Sequence, residues 1–141
     1  MPRITRWFLK SALIYLVCAI VIEILAAWPS GPVHRIAIQL RPSAFHFFFV
    51  GWLSQMVFGV SHWLFPIFSR SEPRGKQWLI DTSFVALNIG IVLRFFSEAP
   101  FWQSVYPGTQ TILLLSITLQ WVGFVAYAAH IWPRIKLKGH G

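Results

Sequence analysis

Four apolar runs dominate this chain, at about residues 7–28, 43–68, 78–96 and 109–132. At 1.5 Å per helical residue, each covers most or all of a hydrocarbon layer about 30 Å thick. A chain of 141 residues that devotes this much of its length to such runs has few options. In lipid every backbone group must be satisfied within the segment, so these runs read as helices. The expected fold class is all-α: an integral membrane four-helix bundle, one domain over 1–141, with N- and C-termini cytoplasmic.

Only 11% of the residues are charged, against roughly 25% in soluble domains. The formal charge is nevertheless +8, from 12 Lys and Arg against 4 Asp and Glu. In a soluble chain that excess would raise the question of nucleic acid. Here the basic residues flank the apolar runs, so the lipid bilayer is the expected partner and no nucleic acid is. Arg3, Arg6 and Lys10, then Arg70, Arg74 and Lys76, then Arg134, Lys136 and Lys138 fall on one side. Arg35 and Arg41 alone fall on the other. That asymmetry puts both ends inside. The expected location is a bacterial cytoplasmic membrane. Trp7, Trp28, Trp78, Trp102 and Trp132 stand at run ends, where an aromatic belt belongs. The first run closes on Trp28, Pro29 and Ser30 without a small-residue cleavage site, so it is expected to be a retained helix. Cys18, the one cysteine, allows neither an internal disulfide nor a thiolate cluster.

Ionisable groups at membrane depth are costly and mark candidate sites. Antiparallel threading sorts them into two levels. The outer level holds Glu23, His46 and Arg94, with Arg41 and His34 in the loop above. One reading is structural: Glu23 and Arg94 neutralise each other and His46 bonds nearby. The other is a cofactor site, with His46 ligating a metal and the arginine forks meeting carboxylates. The inner level holds His62, Asp81, Tyr127 and His130. His62 and His130 are either interfacial histidines reaching water or a facing pair of haem ligands. His46 and His62 are sixteen residues apart, about 24 Å along one helix, and cannot share one ion.

Polar stripes at helical spacing follow the same faces. Gln55 lies seven before His62, and Asp81 seven before Asn88. Ser116, Gln120, Gly123 and Tyr127 follow at four, three and four. Such stripes let membrane helices pack closely and bond to one another. No phosphate loop, dinucleotide fingerprint, nucleophile elbow or His-Glu-x-x-His pair is present. Glu23 and Asp81 sit near opposite membrane faces, which argues against a paired acid and base. An enzyme activity is left open.

The segment from Arg41 to Pro66, RPSAFHFFFVGWLSQMVFGVSHWLFP, resembles the second helix of the haem-copper oxidase subunit I superfamily and its NnrS-type relatives. The shared features are His46, Gly51 five residues on, and Gly59 before an aromatic-Leu-Phe-Pro ending. The next segment, PRGKQWLIDTSFVALNIGIVLR, is similar to the third helix of small relatives. The resemblance implies a b-type haem with His46 as axial ligand, and Arg41 and Arg94 toward its propionates. His62 and His130 form a lesser candidate pair. It implies electron transfer or the handling of a diatomic gas such as O2 or NO. The superfamily's copper-ligand histidines have no counterpart here, so the chain resembles a four-helix fragment and not a complete oxidase. A second ligand would come from His34, another protomer or a partner subunit. The superfamily's twelve helices in three groups of four suggest a homo-oligomer, such as a trimer. The alternative is a non-catalytic membrane subunit or assembly factor of a respiratory complex. A transporter is a third reading, though no inverted repeat supports it.

Overall fold

The computed structural model describes residues 1–65, 75–99 and 107–135. Every element among them is helical. Helix α1 is Arg3–Ala26, α2 is Pro32–Gln39, and α3 is Arg41–Leu64. Helix α4 is Gln77–Glu98, and α5 is Thr109–Ile131, followed by a 3-10 turn at Trp132–Arg134. The spans α1, α3, α4 and α5 are long and apolar enough to cross a membrane. The chain is a multi-pass membrane protein.

Three expectations need correction. The loop expected between the first two runs contains α2. Pro32 opens α2 and Pro42 lies in the first turn of α3, positions where proline's fixed φ and missing N–H are tolerated. Gly31, at φ 110°, makes the turn before α2 that an L side chain would strain. Second, the third run reads as ending at about Phe96, with Glu98 in the loop of residues 97–108, but α4 continues to Glu98 and places it on a helix. Third, Ser43, which follows Pro42 and reads from the sequence as the cap of the second run, does not cap α3. Its hydroxyl donates to Glu98 Oε2 at 2.9 Å, tying α3 to α4. Arg70, Glu72, Arg74, Trp102, Lys136 and Lys138 lie outside the described residues, as does the expected extension of the second run to 68.

Helix α3 is not uniform. Over Phe47–Ser54 it widens into π-helical turns, and the Ser54 hydroxyl follows that register by donating to Phe49 O at 2.8 Å. At this level Gly51 meets Tyr15 of α1. A Cβ there would stand 2.6 Å from Tyr15 Cγ, so the two helices touch at a distance only glycine permits. Helices α4 and α5 approach in the same way at Gly90, where a Cβ would lie 2.8 Å from Gln120 Cγ and 3.1 Å from Ser116 O. Small residues at such crossings are how membrane helices gain van der Waals contact.

Two apolar layers fill the bundle. Ile4, Phe8, Phe58, Ile80, Leu87, Tyr127 and Ile131 form the one nearer the termini. Ala19, Ile22, Ala44, Phe47 and Ile91 form the other. Outside, the large side chains are apolar too: Leu114, Trp121 and Trp132 are 66%, 65% and 76% exposed. Apolar residues covering the outer surface suit lipid, not water.

Candidate functional site

The polar side chains fall at three heights. At the end opposite the termini, Glu23 pairs with Arg41 at 3.2 Å, with both side chains about half exposed. Arg94 Nε donates to Glu98 Oε1 at 2.5 Å. The expected Glu23–Arg94 pair therefore does not form. Because α4 runs on to Glu98, Arg94 finds a carboxylate one turn away on its own helix. That carboxylate also takes the Ser43 hydroxyl. His46 Nδ1 donates to Pro42 O at 2.9 Å. A carbonyl only accepts, so Nδ1 carries the hydrogen and Nε2 of neutral His46 holds the lone pair.

At mid-depth, Tyr15, Gln55 and Asn88 bond across three helices. Tyr15 OH donates to Asn88 Oδ1 at 3.0 Å. Gln55 and Asn88 exchange amide bonds, at 3.5 Å and 3.2 Å, and Gln55 is fully buried. Asn88 Nδ2 also donates to Phe84 O at 2.8 Å. On the α4–α5 side, Ser116 Oγ donates to Gly90 O at 2.7 Å and Gln120 Nε2 to Ser116 Oγ at 3.0 Å. Gln55, Asn88, Ser116 and Gln120 lie on the polar stripes read from the sequence. Interhelical bonds of this kind contribute about 0.6 kcal/mol each on average in a membrane, so their main effect is to fix register.

At the terminal end two histidines and an arginine are buried together. His62 is 0% exposed, His130 3% and Arg134 1%. His130 Nδ1 donates to Lys76 O at 3.2 Å. Neutral His130 then offers Nε2 as an acceptor, and His62 Nδ1 donates to it at 3.0 Å. This leaves Nε2 as the acceptor nitrogen of His62. Arg134 Nη2 donates to His62 O at 3.0 Å and Phe65 O at 2.7 Å, closing the last carbonyls of α3 from another helix. Its Nη1 lies 3.4 Å from His62 Nδ1. Ser61 and Tyr127 bond through their hydroxyls, and the Tyr127 ring stacks on Phe58 with centroids 3.5 Å apart.

The structure brings His62 and His130 together, as antiparallel threading implied, but in direct hydrogen-bond contact. Two nitrogens on opposite sides of one metal ion stand about 4 Å apart, twice a bond of about 2 Å. At 3.0 Å the two rings bond to each other and leave no room for a haem plane between them. Asp81, expected at the same level, accepts from Gln77 at 3.0 Å and lines a separate cavity with Arg3 and Trp7. Among the described residues no three of His, Cys, Asp and Glu converge as a metal site.

The sequence reading overlooked Tyr15 and counted Arg134 only as a topology charge. The signal for Arg134 was its spacing: it lies four residues after His130, on the same face. Nothing in composition marks Tyr15, a single hydroxyl in an apolar run. No family model, no curated protein sequence and no solved structure matches this chain.

Proposed function

We propose that this chain is a haem-binding protein of the bacterial cytoplasmic membrane, with both termini inside, serving electron transfer or diatomic-gas handling. The observation that carries the reading is the hydrogen bond from His46 Nδ1 to Pro42 O. Metal-ligating histidines commonly donate their other ring N–H to a carbonyl in this way, which fixes the ring and directs the Nε2 lone pair outward. Arg41 supports it. Its half-exposed contact with Glu23 is the kind of surface pair worth at most about 1 kcal/mol, so a propionate can replace that carboxylate at little cost.

The fit is partial, and this narrows the site. Arg94 is committed to Glu98, and His62 and His130 to each other. The proposal therefore rests on His46 and Arg41. A bound haem would supply the redox or gas-binding chemistry. The chain's own part is to hold His46 in one tautomer and to place a cation near the carboxylates. A second ligand comes from His34, a second copy or a partner subunit, which makes a homo-oligomer or a respiratory-complex assembly part of the reading.

The test is the absorbance of the protein purified after haem-sufficient expression, oxidised and reduced. A Soret band that shifts on reduction is expected. The second reading, a non-catalytic subunit or assembly factor, draws on the internal pairing of Arg94 and of the two buried histidines. It expects a featureless spectrum and co-purification with respiratory-complex subunits.

A further inference from the structure

A cavity of about 300 Å³ opens at the terminal end of the bundle, between the start of α4 and the end of α5. Lys76, His130 and Arg134 line it together with Leu79, Ala129 and Pro133. No acidic residue is among the described residues that line it. We propose that this cavity holds the phosphate of an anionic membrane phospholipid, with Lys76 as its charged contact.

Three observations carry the assignment. The first is charge. Arg134 is buried and held by the carbonyls of His62 and Phe65, so its positive charge is fixed in place and shielded from water. Lys76, by contrast, is exposed and lines the same cavity. A buried cation and an exposed one at the same cavity favour an anionic occupant.

The second is construction. Gly75 takes φ 72°, a conformation that L side chains rarely adopt, and a Cβ there would lie 4.0 Å from His130 Cε1. That turn sets the Lys76 carbonyl over His130, where it accepts from Nδ1. The backbone of Lys76 is thereby clamped, while its side chain remains outside the clamp.

The third is depth. The cavity lies where two membrane-spanning helices end, beside the exposed Trp132 and Trp78. Tryptophans mark the headgroup level. A phosphate at that level brings acyl chains with it, and Leu79, Ala129 and Pro133 form an apolar wall for their first carbons. Basic pockets between spanning helices are a recurrent way of binding such headgroups. Free inorganic phosphate shares the charge but has no use for the apolar wall. The inference does not depend on haem binding.

The test uses the full chain, purified in a mild non-ionic detergent and titrated with short-chain phosphatidylglycerol, short-chain phosphatidylcholine and inorganic phosphate, with binding read by native mass spectrometry. The wild-type chain is expected to bind phosphatidylglycerol at least tenfold more tightly than phosphatidylcholine. Lys76→Glu reverses one charge at the cavity and leaves the backbone clamp in place. It should weaken phosphatidylglycerol binding by about tenfold or more. Arg6→Glu makes the same charge change on an exposed residue of α1 outside the cavity, and should leave binding within about twofold. Equal losses in the two variants would overturn the proposal, because the binding would then be diffuse surface charge. Equal binding of the two lipids would overturn it as well. Displacement of the lipid by an equal concentration of inorganic phosphate would remove the lipid as the source of the phosphate.

Discussion

Nδ1 of His62 and Nε2 of His130 lie 3.0 Å apart, joining α3 to α5 through two imidazoles that are both buried. The bond has a direction, because His130 already donates its other nitrogen to Lys76 O. His62 is thus the donor, His130 both acceptor and donor, and the backbone at Lys76 the end of the chain.

This direction makes the pair a structural latch whose members are unequal to their sum. His130→Phe takes away the acceptor for His62 and the donor for Lys76 O, a loss of about 1–3 kcal/mol for each buried group stranded. His62→Phe followed by His130→Phe should cost less than the two single changes added, by about 0.5–3 kcal/mol. Thermal unfolding of the four proteins in one detergent measures the difference. Strict additivity would mean that the two rings do not interact.

Contact between α4 and α5 is set by Gly90. Gly90→Val places its Cβ 2.8 Å from Gln120 Cγ and 3.1 Å from a backbone oxygen, and only the first can move aside. The expected loss is about 1–3 kcal/mol, the usual cost of overpacking, and it disrupts the Ser116–Gly90 bond as well. Gly108→Ala meets nothing within 4 Å and is expected to leave the unfolding temperature unchanged. Equal stability of the two variants would show that the close crossing is not needed.

Orientation is tested by labelling. In a Cys18→Ser background, Ser30→Cys in the turn before α2 should react with an impermeant maleimide on intact cells. Arg3→Cys should react only after lysis. The reverse pattern would invert the topology, and with it the assignment of the terminal end to the cytoplasm.

The spans were legible in the sequence because length and hydropathy alone define them. The levels of the polar groups were legible too, since antiparallel threading converts residue number into height. That is how His62 and His130 were placed together. What depends on side-chain rotamers was not legible. Whether two histidines at one height sandwich a metal or bond to each other is a matter of about 1 Å. Arg94 was matched with Glu23 because Glu98 sits just before a proline, in a stretch that reads as loop. Helix α2 was hidden for a related reason: Pro32 and Pro42 read as breakers, although both sit in first turns. The π-helical stretch of α3 left no mark, because its apolar residues fit any helical register.

The central claim is that His46 holds a haem, and its most direct test compares haem content per chain in three purified proteins. Wild type and His130→Ala should carry the same haem content, because the terminal latch lies far from His46 along the bundle. His46→Ala should lose most of it, and the Soret band with it. A wild-type protein without a Soret band after haem-sufficient expression, or a His46→Ala protein with an unchanged one, would contradict the account.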